Sequence, residues 1–195
     1  MSSLTDQVLD QLDANHIQAI ANQLGIDPQQ AESAIQQAVP VLVGRLAQNA
    51  TSADGADALH TAAADHAGLD IGSVIGSVLS GGGAGGSILG HIFGGRQDQA
   101  AQNVGQASGI GAGNMAQLMA MLAPIVMSVL GNLSQRQNLD SGGLGGVLGQ
   151  ELQRVNQSAH GGLLGSLLDQ DGDGKLGMGD LLKVGSELLA GRGRA

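Results

Sequence analysis

Apolar side chains recur at helical spacing from the start of the chain: Leu4, Val8, Leu9 and Leu12, then Ile17, Ile20, Ala21 and Leu24. Each set falls on one face at 3.6 residues per turn, so the spacing predicts two short amphipathic helices over residues 4–12 and 17–24. Gly25 stops the second of them. Asp27-Pro28 combines an N-cap carboxylate with a proline at the first helical position, and Ala31, Ala34, Ile35, Ala38, Leu42 and Leu46 carry one apolar face to about residue 48. Pro40 predicts a kink within that helix. A second cap-like cluster, Thr51-Ser52-Ala53-Asp54, opens an alanine-rich stretch to about residue 67 whose composition favours helix.

From Gly68 the pattern changes. Residues 72–95 alternate apolar pairs with glycine, and the tract Ser80-Gly81-Gly82-Gly83-Ala84-Gly85-Gly86-Ser87 reads as a flexible linker. Residues 97–108 and 112–132 return to helical composition, followed by a second glycine-rich patch over 141–149. Short helices near 150–156 and 163–168, an acidic loop and a last helix from about 179 to 190 complete the reading.

Laying residues 18–46 on 102–130 without a gap matches Gln18, Gly25, Ile26, Pro40 and Leu46 to Gln102, Gly109, Ile110, Pro124 and Leu130. Similar residues fall at core positions: Ile20 opposite Val104, Ile35 opposite Met119, and Val41-Leu42-Val43 opposite Ile125-Val126-Met127. The repeated unit is a short helix, a Gly-Ile turn and a long proline-kinked helix. The expected fold is therefore all-α, a helical bundle with this internal repeat and glycine-rich linkers. It divides into an N-terminal helical unit (1–67), a glycine-rich connector (68–96), a second helical unit repeating the first (97–140), and C-terminal helices with the acidic loop (141–195).

The repeat also bears on membranes, because residues 115–130 are apolar enough to suggest a spanning helix. The equivalent stretch of the first copy carries Glu32, Gln36, Gln37 and Arg45, so both are read as core helices. Composition narrows the chemistry further. There is no Cys, which excludes disulfides, thiolate metal sites and a Cys nucleophile. A net charge of −9 with only eight Lys and Arg argues against nucleic acid and anionic membranes as partners. The first residues lack the basic and apolar regions of a secretory signal, so the default compartment is the cytoplasm, with leaderless export the alternative.

Three segments carry a family resemblance: the Gly-Ile turn leading to Leu-Ala-Pro-Ile-Val-Met at 122–127, the preceding Ile-Leu-Gly-His-Ile-Phe-Gly-Gly at 88–95, and Leu-Leu-Asp-Gln-Asp-Gly-Asp-Gly at 167–174. Together they resemble the YidB-like bacterial family of unknown function, over about residues 17–182. The resemblance implies an all-helical fold and no assigned activity, since its motifs are packing motifs.

One segment carries chemistry. Residues 169–180, Asp-Gln-Asp-Gly-Asp-Gly-Lys-Leu-Gly-Met-Gly-Asp, follow the twelve-residue calcium loop of an EF-hand. Asp169, Asp171 and Asp173 stand at positions 1, 3 and 5, Gly174 at 6 permits the sharp turn, and Lys175 at 7 lends its backbone carbonyl. Leu176 at 8 suits the core, Gly177 at 9 leaves a ligand to water, and Asp180 at 12 closes the sphere. The motif asks for Glu at 12. Asp180 is one methylene shorter, so it binds with one oxygen or draws the exiting helix inward, which lowers affinity or shifts preference toward Mg²⁺. The bland alternative is a solvated turn with Asp180 favourably placed in the first turn of a helix, but four aspartates and one lysine leave the loop at net −3, which a divalent ion relieves.

Other signals are slighter. Gly81-x-Gly83-x-x-Gly86 spells a dinucleotide fingerprint, yet no β-rich strand precedes it and no acidic residue stands at the ribose distance. His16, His60, His66, His91 and His160 are scattered, and the six-residue separation of His60 and His66 puts their rings on different helix faces. Asp65-His66 lacks a nucleophile-elbow serine. These observations point to a non-enzymatic, Ca²⁺-binding helical protein that self-associates or engages a protein partner, Val74, Ile75, Val78, Ile88, Leu89 and Ile92 supplying the apolar surface and Gly72, Gly76 and Gly90 the close approach. The competing readings are a membrane-associated protein acting through its glycine-rich apolar segment, where Gly72-x-x-x-Gly76 resembles a close-packing motif, and an enzyme without a recognised motif.

Overall fold

The computed structural model describes residues 3–69, 71–80 and 85–157, and all regular structure among them is helical. Nine helices follow in order: α1 (Leu4–Asp10), α2 (Ala14–Leu24), α3 (Pro28–Asn49), α4 (Ala53–Asp65), α5 (Ile71–Leu79), α6 (Gly85–Phe93), α7 (Gln97–Ser108), α8 (Gly111–Gln137) and α9 (Ser141–Gln157).

Local chemistry sets the boundaries. Ser3 and Asp6 bond each other's backbone in a reciprocal cap that starts α1. The Asp13 side chain accepts from the His16 N–H at 2.9 Å, which moves the start of α2 three residues ahead of the first apolar position. Asp27 and Gln30 close a capping box over α3, with Pro28 in its first turn. Ser52 caps α4 by accepting from the Gly55 N–H at 3.1 Å.

The two halves of the repeat are built alike. Shifted by the same offset, α2 and α3 fall on α7 and α8, and the turn glycines Gly25 and Gly109 both adopt the left-handed conformation, at φ 66° and 76°. Pro40 and Pro124 are buried inside helices that continue through them. The buried faces correspond, but their volumes do not: Ala31, Ala34 and Ala38 stand where the second copy has Met115, Leu118 and Leu122. Small residues on α3 thus answer large ones on α8, and these two helices pack against each other. Each short helix also touches the long helix of the other copy, so the two hairpins interlock. All nine helices feed one cluster of buried side chains.

Of the tract 80–87 read as a flexible linker, residues 85–87 belong to a helix and residues 81–84 lie outside the described residues. Residues 71–79 and 85–93 form α5 and α6, because Val74, Ile75, Leu89, Ile92 and Phe93 recur at helical spacing and are buried in the core. Glycine here serves close approach. A Cβ on Gly85 would overlap the carbonyl oxygen of Ala120, the one that Pro124, having no N–H, cannot engage within its helix. The patch at 141–149 is likewise helical. Asp140 accepts from the Gly143 N–H at 2.7 Å and starts α9 there, while Leu144 and Leu148 are fully buried. Gly145 brings α9 to the carbonyl of Ala50, which a Cβ would meet at 3.3 Å.

By length and composition α8 alone among the described helices could cross a membrane, yet 78% of its most apolar stretch is buried inside the protein. Its apolar character is consumed by α1 to α7, with all of which it makes contact.

Candidate functional site

A concavity between α3, α4, α6 and α8 has a volume of about 540 Å³. On α4, Ser52, Gly55, Ala58, Leu59, Ala62 and His66 line it, positions that recur on one helical face. Ile88, His91 and Ile92 of α6 form the facing wall. Leu46, Gln48 and Asn49 of α3 and Met127 of α8 complete the enclosure. Ala58 and Ala62 on α4 leave the space open, whereas Gly55 lets α4 approach the Asn49 carbonyl, which an added Cβ would overlap.

The two histidines are held alike. His66 Nδ1 lies 2.9 Å from the Ala62 carbonyl oxygen, and His91 Nδ1 lies 2.8 Å from that of Ser87. A carbonyl can only accept, so each Nδ1 carries the proton and each Nε2 is left for another partner. No hydrogen bond from a described residue engages either Nε2. His66 is half-buried and His91 exposed.

The α6 wall is fixed to α3 through its last turn. The Ile92 carbonyl accepts from Arg45 Nε at 3.2 Å and from Asn49 Nδ2 at 2.9 Å. A cation here meets the negative end of the helix dipole and satisfies a carbonyl that the helix itself cannot. Arg45 Nη1 also donates to Gln48 Oε1 at 2.7 Å, which positions a second lining residue. Burial, with some repulsion from Arg96, lowers the Arg45 pKa, and the guanidinium still keeps its charge at any working pH.

The other histidine of α4 has a structural part. His60 Nε2 donates to the Leu139 carbonyl at 3.0 Å, and Ser134 Oγ donates to the same oxygen at 3.2 Å, tying α4 to the turn between α8 and α9. His60 and His66 therefore serve different faces, as their spacing predicts. Asp65 is not the hydrogen-bond partner of the His66 Nδ1, and Ser52 is committed to its cap.

The model of the family described as bacterial protein of unknown function (DUF937) matches residues 6–133, about two thirds of the sequence. The chain belongs to this family. The DUF937 match runs from α1 into the last turns of α8 and contains both copies of the repeat. Every residue lining the 540 Å³ cavity falls within it. The match begins ahead of the resemblance noted from motifs and stops short of α9 and the acidic segment, so membership in DUF937 carries no statement about the EF-hand-like loop. No curated protein and no solved structure matches the chain.

The metal ligands expected from sequence, Asp169, Asp171, Asp173, Lys175 and Asp180, lie outside the described residues. Among the described residues no three His, Asp or Glu side chains gather into a group able to hold a metal ion. The side chains expected to form an intermolecular surface have a different place. Val74, Ile75, Leu89 and Ile92 are buried in the chain's own core, and Val78 and Ile88 pack half-buried against it. Built Cβ atoms on Gly76 and Gly90 meet open space, so neither glycine serves a close approach within the chain. His66 and His91 were not legible as a pair, because they stand 25 residues apart on separate helices. The available signal was the Ser52, Gly55, Ala58, Leu59, Ala62, His66 face, a helix side too small to fill its share of a core.

Proposed function

We propose that this DUF937 protein is a non-enzymatic helical module that binds one divalent cation, Ca²⁺ ahead of Mg²⁺, and engages a second copy of itself or another protein. The observation that carries the reading is the 1-3-5-12 carboxylate spacing of Asp169, Asp171, Asp173 and Asp180, with Gly174 at the sharp turn and the Lys175 carbonyl as a further ligand. Oxygen donors at this spacing wrap a hard cation, and the net −3 of the loop is relieved by a divalent ion. With Asp in place of Glu at position 12 and a single loop, affinity on the order of 10⁻⁵ to 10⁻³ M is expected. The ion then has a structural part, holding the segments on either side of the loop in one relation.

Calorimetric titration of the full chain with Ca²⁺ should show one site, lost in Asp169→Ala and Asp171→Ala. Absence of heat above dilution at millimolar Ca²⁺ would refute the cation site. Light scattering over a dilution series, with Ca²⁺ and with chelator, addresses assembly separately. A mass of 19.4 kDa at every concentration would refute self-association and leave a different protein as the partner. An oligomer indifferent to Ca²⁺ would refute only the coupling between ion and assembly.

A further inference from the structure

We propose that the cavity between α3, α4, α6 and α8 binds a single-chain aliphatic carboxylate, its chain among Leu46, Leu59, Ile88, Ile92 and Met127 and its head group at His66 and His91. The volume of about 540 Å³ lies within the about 300–1,000 Å³ of small-molecule sites, and a mostly apolar lining with a few convergent polar groups is their usual character.

The head group follows from charge. The protein carries 17 Asp and Glu against eight Lys and Arg, yet among the described residues no carboxylate lines this cavity, and the titratable side chains that do are the two imidazoles. Of the aspartates on α4, Asp57 falls on the side of the helix away from the lining positions, while Asp54 and Asp65 fall beside that face without lining the cavity. Arg45 stands behind the α3–α6 wall and Arg96 just beyond the end of α6, so positive charge stands on the α6 side of the cavity. Each imidazole already donates from Nδ1 to a backbone carbonyl. With Nδ1 bonded to its carbonyl, the imidazolium form of either ring donates from Nε2 to a carboxylate without breaking that bond, as a charge-assisted hydrogen bond. An alcohol head forms only the weaker neutral bond, and an ammonium head is repelled.

The residues that carry the proposal are all described, and none belongs to the cation loop. The test titrates the full chain calorimetrically with decanoate, decanol and decyltrimethylammonium below their aggregation limits. One decanoate should bind per chain, about tenfold or more tighter than the ammonium. Affinity should rise about fourfold per methylene from octanoate to decanoate. The double variant His66→Gln/His91→Gln should lose the preference for carboxylate while keeping its decanol affinity. Ala58→Phe, placed at an exposed lining position to spare the core, should weaken both decanoate and decanol by about tenfold by filling the space. In the unaltered protein, decanoate should shift the imidazole NMR resonances of His66 and His91 and leave those of His16 and His60 in place, a readout that needs no variant. The proposal is overturned if millimolar decanoate gives no binding, if the ammonium binds as tightly, or if all four histidines respond equally.

Discussion

Glu151 is the one charged side chain that the described residues bury, at 2% exposure. Its Oε1 accepts the Thr5 N–H at 3.1 Å, in the first turn of α1, and its Oε2 pairs with Arg154 Nη1 at 3.3 Å. A carboxylate meets the positive end of a helix there, so α9 caps α1 across 146 residues of sequence. The ion pair adds little by itself, because Arg154 is half exposed. The greater term is the buried backbone donor that would lose its acceptor. Glu151→Ala should therefore cost about 1–3 kcal/mol in urea unfolding. Glu151→Gln keeps an acceptor for Thr5 and should cost less. Equal losses for the two variants would mean that charge, rather than the hydrogen bond to Thr5, dominates. Nothing in the local sequence announces this contact, since Glu151 lies on an amphipathic helix where a solvated carboxylate is the ordinary expectation.

Glycine marks the boundary of what could be read element by element. The α2–α3 and α7–α8 hairpins were legible because their signals are local: an Asp-Pro start, a left-handed glycine, an apolar face of fixed period. The helices on either side of residues 81–84 were not legible because glycine has two unlike uses, loosening a chain and letting helices approach, and composition does not separate them. Neighbours in space do. Gly131 in α8 lies against the Ala63 carbonyl and Ala67 of the α4 end, and an added Cβ would overlap both. Gly146 in α9 faces open space. Gly131→Ala should destabilise by about 1–3 kcal/mol through overpacking. Gly146→Ala should stabilise by about 0.5–1 kcal/mol, by lowering the entropy of the unfolded chain and raising helix propensity. Thermal unfolding of the two variants separates these uses, and shifts of the same sign would show that the α4–α8 approach does not depend on the missing Cβ.

At the scale of the molecule, the question is whether the two copies of the repeat fold as one body or two. Sequence organisation divides the chain at the glycine-rich segment, which suits two helical units joined by a connector. The packing favours one. Leu46 in the first copy and Leu130 in the second are equivalent positions, both deeply buried, and they belong to the same cluster of side chains. That cluster also takes in α5 and α6, the segment read as a connector, and α3 contacts both α7 and α8 across it. Two units sharing a core cannot expose one half without uncovering the apolar face of the other, so unfolding should be a single transition. Leu46→Ala and Leu130→Ala should each destabilise by about 2–5 kcal/mol, moving one denaturation midpoint observed by helix circular dichroism and by the NMR signals of a residue in each copy, the His16 ring and the Met115 methyl. Separable units would behave otherwise. Leu46→Ala would then split the curve, with His16 reporting an early transition and the Met115 methyl an unshifted later one, and the alternation of small residues on α3 with large ones on α8 would lose its meaning as a shared interface.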